Sequence, residues 1–310
     1  MNNSLVYIIV LNYNNWQDTL MCLKSLKKLD YQYHKIILVD NASTDNSCEK
    51  INNWQTQNNL LNLVFLLSDK NGGYSAGNNI GLRYVLSQSD VSFVWLLNND
   101  VEVESSSLSY LVNDYNKKSN ESNKIGILGS KIMDFHQRKI IQAAGGGTLN
   151  TWIAYSWLIG AHQEDKGQFD VEKIKLDFIL GVSMFCPIAF IKDVGLLNED
   201  YFLYLEEPDW AERAKKKNWQ LAYCYQSKVY HKGGATTGGE HYGTETSSSD
   251  FSDFHFHKSR ILFTKKFYPY KLPVFYATFV VVIFNRLIRK QYHRIPNILA
   301  LLFNPKRGYK

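Results

Sequence analysis

The feature that most constrains the fold is a set of four uninterrupted apolar runs in the first hundred residues: LVYIIVL (5–11), KIILVD (35–40), LNLVFLL (61–67) and VSFVWLL (91–97). Each has strand length and none alternates strictly with polar residues, the pattern of strands buried on both faces of a parallel sheet. Parallel strands need crossovers, and helical segments lie between the runs. Residues 15–29 set Trp16, Leu20, Leu23 and Leu26 on one face and Lys24, Lys27 and Lys28 largely on the other. Residues 75–88 form a second helical stretch. The alternation predicts βαβ units in an α/β fold with a mostly parallel central sheet and flanking helices. A chain of 310 residues, 45% hydrophobic, can close a core over one large domain or two smaller ones.

Beyond residue 100 the regularity weakens. A helix is predicted over 105–117, a strand over 125–133, and a strand running into a Gly-rich turn over 140–150. The apolar stretch 177–187 ends at Pro187. EPDWAERAKKKN (207–218) predicts a helix with Pro208 near its first position, acids at its start and lysines at its end, as the helix dipole favours. A strand follows at 220–225, then a Gly/Ser/Thr-rich stretch at 232–250 long enough for a lid or a disordered segment. Residues 267–310 differ in composition: 13 apolar residues at 272–284 precede NRLIRK, and ILALLF follows at 298–303. The first run is shorter than the ~20 residues that span a bilayer. This basic, amphipathic tail either lies in a membrane interface or caps the preceding domain.

Other classes are disfavoured. A net charge of +6 is too weak, and too dispersed over the first 200 residues, to point to nucleic acid. Cys22, Cys48, Cys186 and Cys224 form no C-x-x-C pair, so neither a zinc site nor a disulfide framework is expected, and a reducing compartment fits. MNNSLVYIIVLNYNN has no basic n-region or small-residue cleavage site and does not resemble a signal peptide.

In an open parallel sheet, ligands bind outside the carboxyl ends of the strands. The four runs end in Asn12-Tyr-Asn14, in Asp40-Asn41-Ala-Ser43-Thr-Asp45, in Ser68-Asp-Lys-Asn71-Gly72-Gly73 and in Asn98-Asn99-Asp100. One such end is readily an Asx turn or helix cap; four on one sheet edge suggest a binding site. The first strand–helix turn contains no glycine, and no G-K-[ST] occurs, which disfavours dinucleotide and P-loop chemistry. Asp40 can accept from a base N–H or a ribose hydroxyl, and Asp100 can hold a divalent cation that bridges to phosphates. A nucleoside diphosphate would fit across that edge.

VYIIVLNYNN, ILVDNASTD, NGGYSAGNNIGL, WLLNNDVEV, FILGVSMF, FLYLEEPDWAERAKKKNW and VYHKGG occur in the order seen in glycosyltransferase family 2, so that residues 5 to about 265 resemble that family. The subgroup it resembles contains bacterial rhamnosyltransferase-like and O-antigen or glycan-branching enzymes. The resemblance implies a GT-A fold, a nucleotide-sugar donor, Mn²⁺ or Mg²⁺, and inversion at the anomeric carbon. It implies a catalytic domain over 1–266, nucleotide-binding to residue 104 and acceptor-binding from 105. Asn12, Asn14, Asp40, Asn41, Ser43, Asn71 and Gly72 match the donor pocket, and Asn98-Asn99-Asp100 the Asp-x-Asp metal motif. His231 matches a further metal ligand. Gly181, Glu206 and Trp210 fall near the acceptor, and Glu207 stands at the general base with Asp209 as its competitor.

Two positions depart from the family pattern: Asn98 replaces the first metal aspartate, and Glu207 replaces an aspartate base. The helix dipole should depress the Glu207 pKa and make it a weak base. Trp210 and Trp219 suit either sugar stacking or core packing. The implied reaction moves a UDP- or dTDP-linked sugar to a saccharide hydroxyl, with a lipid-linked acceptor at the inner face of the cytoplasmic membrane, in surface polysaccharide or glycan assembly. A sugar-phosphate nucleotidyltransferase and a non-catalytic nucleotide- or glycan-binding module are the alternatives.

Overall fold

A computed structural model describes residues 4–58, 60, 62–233, 249–305 and 307–309. The four apolar runs form β1 (Val6–Asn12), β2 (His34–Asp40), β3 (Leu63–Leu67) and β4 (Phe93–Asn98). They are joined through α1 (Trp16–Leu26), α2 (Ser47–Gln57) and α3 (Gly73–Leu86). The second half adds β5 (Val101–Val103), α4 (Ser107–Lys118), β6 (Ile125–Asp134), β7 (Ile141–Ala144), β8 (Gly146–Asn150) and β9 (Tyr155–Leu158). It continues with β10 (Phe178–Ile179), β11 (Ser183–Pro187), α5 (Ile188–Val194), α6 (Glu206–Lys216) and β12 (Gln220–His231). Three helices close the chain: α7 (Asp250–Phe267), α8 (Leu272–Ile288) and α9 (Ile295–Phe303).

Eight strands order as β3-β2-β1-β4-β11-β6-β12-β5, with β7 beside β6. The pairs β3/β2, β2/β1, β1/β4 and β6/β12 are parallel, and β11 runs against both β4 and β6. The absence of alternation in the apolar runs has a direct cause. Val6, Ile8 and Val10 face one core with Leu23 of α1, Ile51 of α2 and Leu111 of α4. Tyr7 and Ile9 face a second core with Leu82 of α3, Phe190 of α5 and Trp210 of α6. Helices therefore cover both faces, as parallel strands require.

The polar strand ends are brought together by register, Asn12 opposite Asp40 and Leu11 opposite Asn98. The GGGT stretch differs from the expected turn. Gly145, at φ 79°, turns the chain, and Gly146 begins β8 in a small antiparallel sheet ordered β10-β8-β9. Gly146 admits no side chain, since a Cβ would meet the Phe178 carbonyl oxygen at 2.0 Å. The 232–250 stretch lies outside the described residues from 234 to 248.

The C-terminal helices share a third core, in which Phe254 and Ile261 of α7 meet Phe275 and Phe279 of α8 and Ile298 and Leu301 of α9. Tyr201 and Leu205 join this core from the chain segment before α6. With the turn that precedes it, α8 forms a helical segment over Pro269–Ile288 of 20 residues, mean hydropathy 1.6, with 17% of its apolar window buried. The length judged too short from 13 apolar residues is thus sufficient to cross a bilayer.

Candidate active site

At the sheet edge the loops after β1, β2 and β3 are tied by their own side chains. Asn12 is fully buried and donates through Nδ2 to Asp40 Oδ2 at 2.7 Å, while its Oδ1 accepts from Thr19 Oγ1 at 2.7 Å. Asp40 also accepts from the Ser43 N–H at 2.8 Å and the Ser43 hydroxyl at 2.7 Å, closing an Asx turn. Exposed Asn14 accepts the Thr44 N–H at 2.7 Å and donates to Thr44 Oγ1 at 3.2 Å, linking the first loop to the second. Asn41 donates to Asn71 Oδ1 at 2.9 Å and to the Gly73 carbonyl at 3.2 Å, and accepts from the Gly72 N–H at 3.3 Å. The predicted donor-site residues are therefore one network. Asn12, Asp40 and Asn41 are its buried members; Asn14, Ser43, Asn71 and Gly72 are accessible.

The three residues after the fourth apolar run diverge. Asn98 ends β4 partly exposed, with its N–H on the Val182 carbonyl at 3.1 Å. Asn99 turns inward instead, donating to Thr19 Oγ1 at 2.9 Å and to the Asn15 carbonyl at 3.4 Å. It fixes the start of α1 and does not face the ligand side. Asp100 is buried, and its Oδ1 has no hydrogen-bond partner although His231 Nε2 lies 3.3 Å away. β12 delivers that histidine, pairing it opposite Val101.

Gln142 sets the histidine's tautomer. Its Nε2 donates to the His231 carbonyl at 2.9 Å, so its Oε1, 2.8 Å from His231 Nδ1, accepts a proton there. A neutral ring then presents the Nε2 lone pair beside a bare carboxylate oxygen, an arrangement a cation resolves. Burial pushes the Asp100 carboxyl up. With the ring protonated on both nitrogens instead, its charge and hydrogen bond, with the Asp100 and Gly233 backbone N–H groups, outweigh burial and bring the carboxyl below its ordinary value. Two residues fit one edge of a metal site; among the described residues no three His, Cys, Asp or Glu side chains converge.

The second half of the site is the LEEPDW segment. Tyr204 and Leu205 both have left-handed φ, 70° and 66°, a strained entry for non-glycine residues. The helix begins at Glu206, so Pro208, expected near its first position, is its third residue. The Gly181 N–H donates to Glu207 Oε1 at 2.9 Å, and Tyr74 Oη donates to the Gly181 carbonyl at 2.7 Å. A Cβ on Gly181 would stand 2.7 Å from that carboxylate oxygen. Val182, the next residue, is the one bonded to Asn98. Glu207 thus sits beside the carboxyl end of β4.

Gly73 locks the same region from the other side, because at φ 82° a Cβ there would meet the Phe202 carbonyl oxygen at 2.2 Å. Tyr74 N–H bonds that oxygen at 2.9 Å.

The expected dipole effect on Glu207 is reversed. Burial lifts its pKa, and the N–H groups of Glu207 and Gly181 offset only part of the rise. Burial also lifts Glu206, further raised by the charges of Glu207 and Asp209, and Glu206 Oε2 has no partner. A partly exposed carboxylate with a raised pKa is a better base than an ordinary glutamate.

The other two residues of the segment are corrected. Asp209 is fully buried, with Oδ1 on Arg213 Nε at 2.7 Å and Oδ2 on Lys266 Nζ at 2.5 Å. Both oxygens are neutralised, so it anchors α6 to α7. Trp210 is also fully buried, donates Nε1 to the Gly195 carbonyl at 2.9 Å and packs on Phe190. It belongs to the core and not to an acceptor surface.

The sequence profile of glycosyl transferase family 2 matches residues 7–179, more than half of the chain. The chain belongs to this family. A relative, the low-salt glycan biosynthesis hexosyltransferase Agl10 of Haloferax volcanii, is 24% identical over 225 residues, 72% of this chain and 66% of its own. Among solved structures, GalNAc-T7 with UDP, GalNAc and Mn²⁺ superposes at TM-score 0.58 and 16% identity, over 73% of this chain and 43% of its own. The mannosyltransferase PcManGT from Pyrobaculum calidifontis, in complex with GDP-Man and Mn²⁺, gives 0.56 at 13% identity, over 98% and 76%. S. aureus TarS 1–349 with UDP-GlcNAc gives 0.53 at 16%, over 83% and 66%. The chain spans less than two thirds of the length of several of these proteins. At these identities the likeness establishes the fold, and this family 2 chain has the GT-A architecture.

Proposed function

We propose that the protein is an inverting glycosyltransferase that moves a hexose from a UDP- or dTDP-linked donor to a hydroxyl of a lipid-linked saccharide, in surface polysaccharide or glycan assembly. The observation that carries this is Glu207: a carboxylate of raised pKa, held by the Gly181 N–H beside the polar end of β4. The networked Asp40 and Asn41 loops form the donor pocket. Glu207 takes the proton of the acceptor hydroxyl as that oxygen attacks the anomeric carbon, and the nucleoside diphosphate leaves from the opposite face. Asp100 and His231 would hold Mn²⁺ or Mg²⁺, which supplies positive charge for the departing diphosphate. Similarity to a hexosyltransferase of glycan biosynthesis supports the pathway class.

The same proposal sets α8 in the interface of the cytoplasmic membrane's inner face. Residues 267–310 contain eight Lys and Arg and no Asp or Glu, so the first 266 residues carry a net −2 against +6 for the whole chain. Val280, Val281, Phe284 and Ile288 of α8 are 59–70% exposed. The charges divide: Arg286 and Arg294 turn inward to Asp253 and Asp250. Arg289 and Lys290 remain for a lipid surface, and the apolar face contributes more than charge. Because Phe275 and Phe279 are buried in the third core, α8 lies along the interface and does not cross it.

The deciding experiment is Glu207→Gln. Transfer should fall about 10²–10⁴-fold while UDP or dTDP affinity is kept. Near-normal transfer by this variant refutes the assignment.

A further inference from the structure

A row of aromatic rings runs from the segment that carries Glu207 to β9. Trp157 and Tyr155, two residues apart on one face of β9, are 51% and 43% exposed, with ring centroids 5.1 Å apart. Tyr155 meets Phe256 of α7 edge-on at 5.9 Å, and Phe256 meets Tyr204 at 5.7 Å. Phe256 and Tyr204 are partly exposed. Tyr204 is the strained residue three positions before Glu207, and its hydroxyl pairs with Ser252. The far end of the row is tied to the same place. β9 pairs with β8, β8 with β10, and the Leu180 N–H bonds the Gly145 carbonyl one residue before Gly181.

We propose that this row is an acceptor subsite on which successive sugar rings of an oligosaccharide stack, so that the acceptor is a chain of several sugars and not a monosaccharide. The inference rests on Glu207 as the base. A pyranose has an apolar C–H face and a hydroxyl rim, which matches amphipathic Tyr and Trp rings presented to water at low entropic cost. The row is also held rigid: Arg260 lies 5.4 Å from the Phe256 ring, and its Nε and Nη2 donate to the Ile153 carbonyl, at 3.1 and 2.7 Å, in the turn that leads into β9. A lipid surface fits the row less well, because it ends at Tyr204, on the segment that carries Glu207, and not on the α8 face. Trp152, beside Lys271 at the start of α8, belongs to that other surface.

The test uses the full chain with linear tetrasaccharides of glucose, N-acetylglucosamine, mannose and galactose, and the matching monosaccharides. Saturation-transfer NMR and tryptophan emission report binding. At least one tetrasaccharide should bind about tenfold or more tighter than its monosaccharide. Tyr155→Ala and Trp157→Ala should each weaken it about tenfold, with unchanged thermal melting. Absence of any tetrasaccharide response, or a response unchanged in the double variant, overturns the proposal. So does a double variant that loses binding to phosphatidylcholine–phosphatidylglycerol vesicles but keeps the saccharide. Calorimetry with UDP and dTDP separates the layers. A chain that binds neither nucleotide defeats the transferase reading itself, whereas nucleotide binding without saccharide binding defeats this subsite alone.

Discussion

Gly181→Ala isolates the contact on which the assignment of the base depends. Gly181 is outside the left-handed region, so alanine meets no backbone penalty. Its methyl would stand 2.7 Å from Glu207 Oε1 and 3.0 Å from Tyr74 Oη. Restoring the 3.4 Å of ordinary contact moves the carboxylate by about 0.7 Å. A misplacement of about 1 Å costs up to about 10²-fold in rate, so kcat should fall about 10–10²-fold. The Gly181 N–H to Glu207 bond weakens as well, at a cost of about 1–3 kcal/mol for a buried partner lost. Steady-state transfer with UDP- and dTDP-linked sugars measures the first effect, and thermal melting the second. The destabilisation should shrink in a Glu207→Ala background, where only the 3.0 Å approach to Tyr74 Oη remains. A kcat within twofold of wild type, or a melting penalty undiminished without Glu207, would show that Gly181 does not act through the carboxylate.

Glu206→Gln should stabilise the protein at pH 8, and the advantage should fade as the pH falls toward the ordinary glutamate value of 4.5. A carboxyl with a raised folded pKa favours the fold when protonated and loses that contribution as pH rises; a melting difference independent of pH argues against it. Gln142→Ala should weaken Mn²⁺ binding about 10–100-fold by freeing the His231 ring, and Asp100→Ala should remove the Mn²⁺-dependent part of UDP affinity; calorimetry that finds both variants unchanged excludes this metal edge. Val281→Glu with Phe284→Glu should lower binding to anionic vesicles by about 10²-fold or more, from the ~1.5–3 kcal/mol of each buried side chain, without altering the melting temperature; a wild-type chain that ignores such vesicles at low salt leaves α8 without this role.

The sheet was legible because both of its faces are covered, which leaves long apolar runs in the sequence. α2 was not, because Ile51 is its only fully buried large apolar residue. α7 was hidden for the opposite reason. Asp253, His255, His257 and Arg260 are buried among its apolar residues, so no stripe appears. Of the site, the polar strand ends follow from local pattern, and the role proposed for Glu207 from the resemblance of its segment to family 2. The division of labour within Asn98-Asn99-Asp100 does not, since it depends on Thr19 and His231, brought in by α1 and β12. Gln142 carries no sequence signal, whereas Tyr74 lies two residues after Gly72 in a motif already singled out. The opposite fates of neighbouring Glu207 and Asp209 depend on Lys266, 57 residues away from Asp209.

The third core has a consequence for how such a chain can vary over evolution. Tyr201 and Leu205, on the segment that presents Glu207, are packed against α7, α8 and α9, and Lys266 neutralises Asp209 in the helix that carries Glu207 in its first turn. The terminal helices are therefore the rear wall of the LEEPDW segment and not a detachable anchor. A chain shortened within or just after α7 would expose Phe254 and Ile261 and unseat the proposed base together with the proposed membrane contact. Recombination that exchanges this bundle between relatives would have to carry the LEEPDW segment with it. Sequence drift in the two should then be correlated, although they are separated by β12.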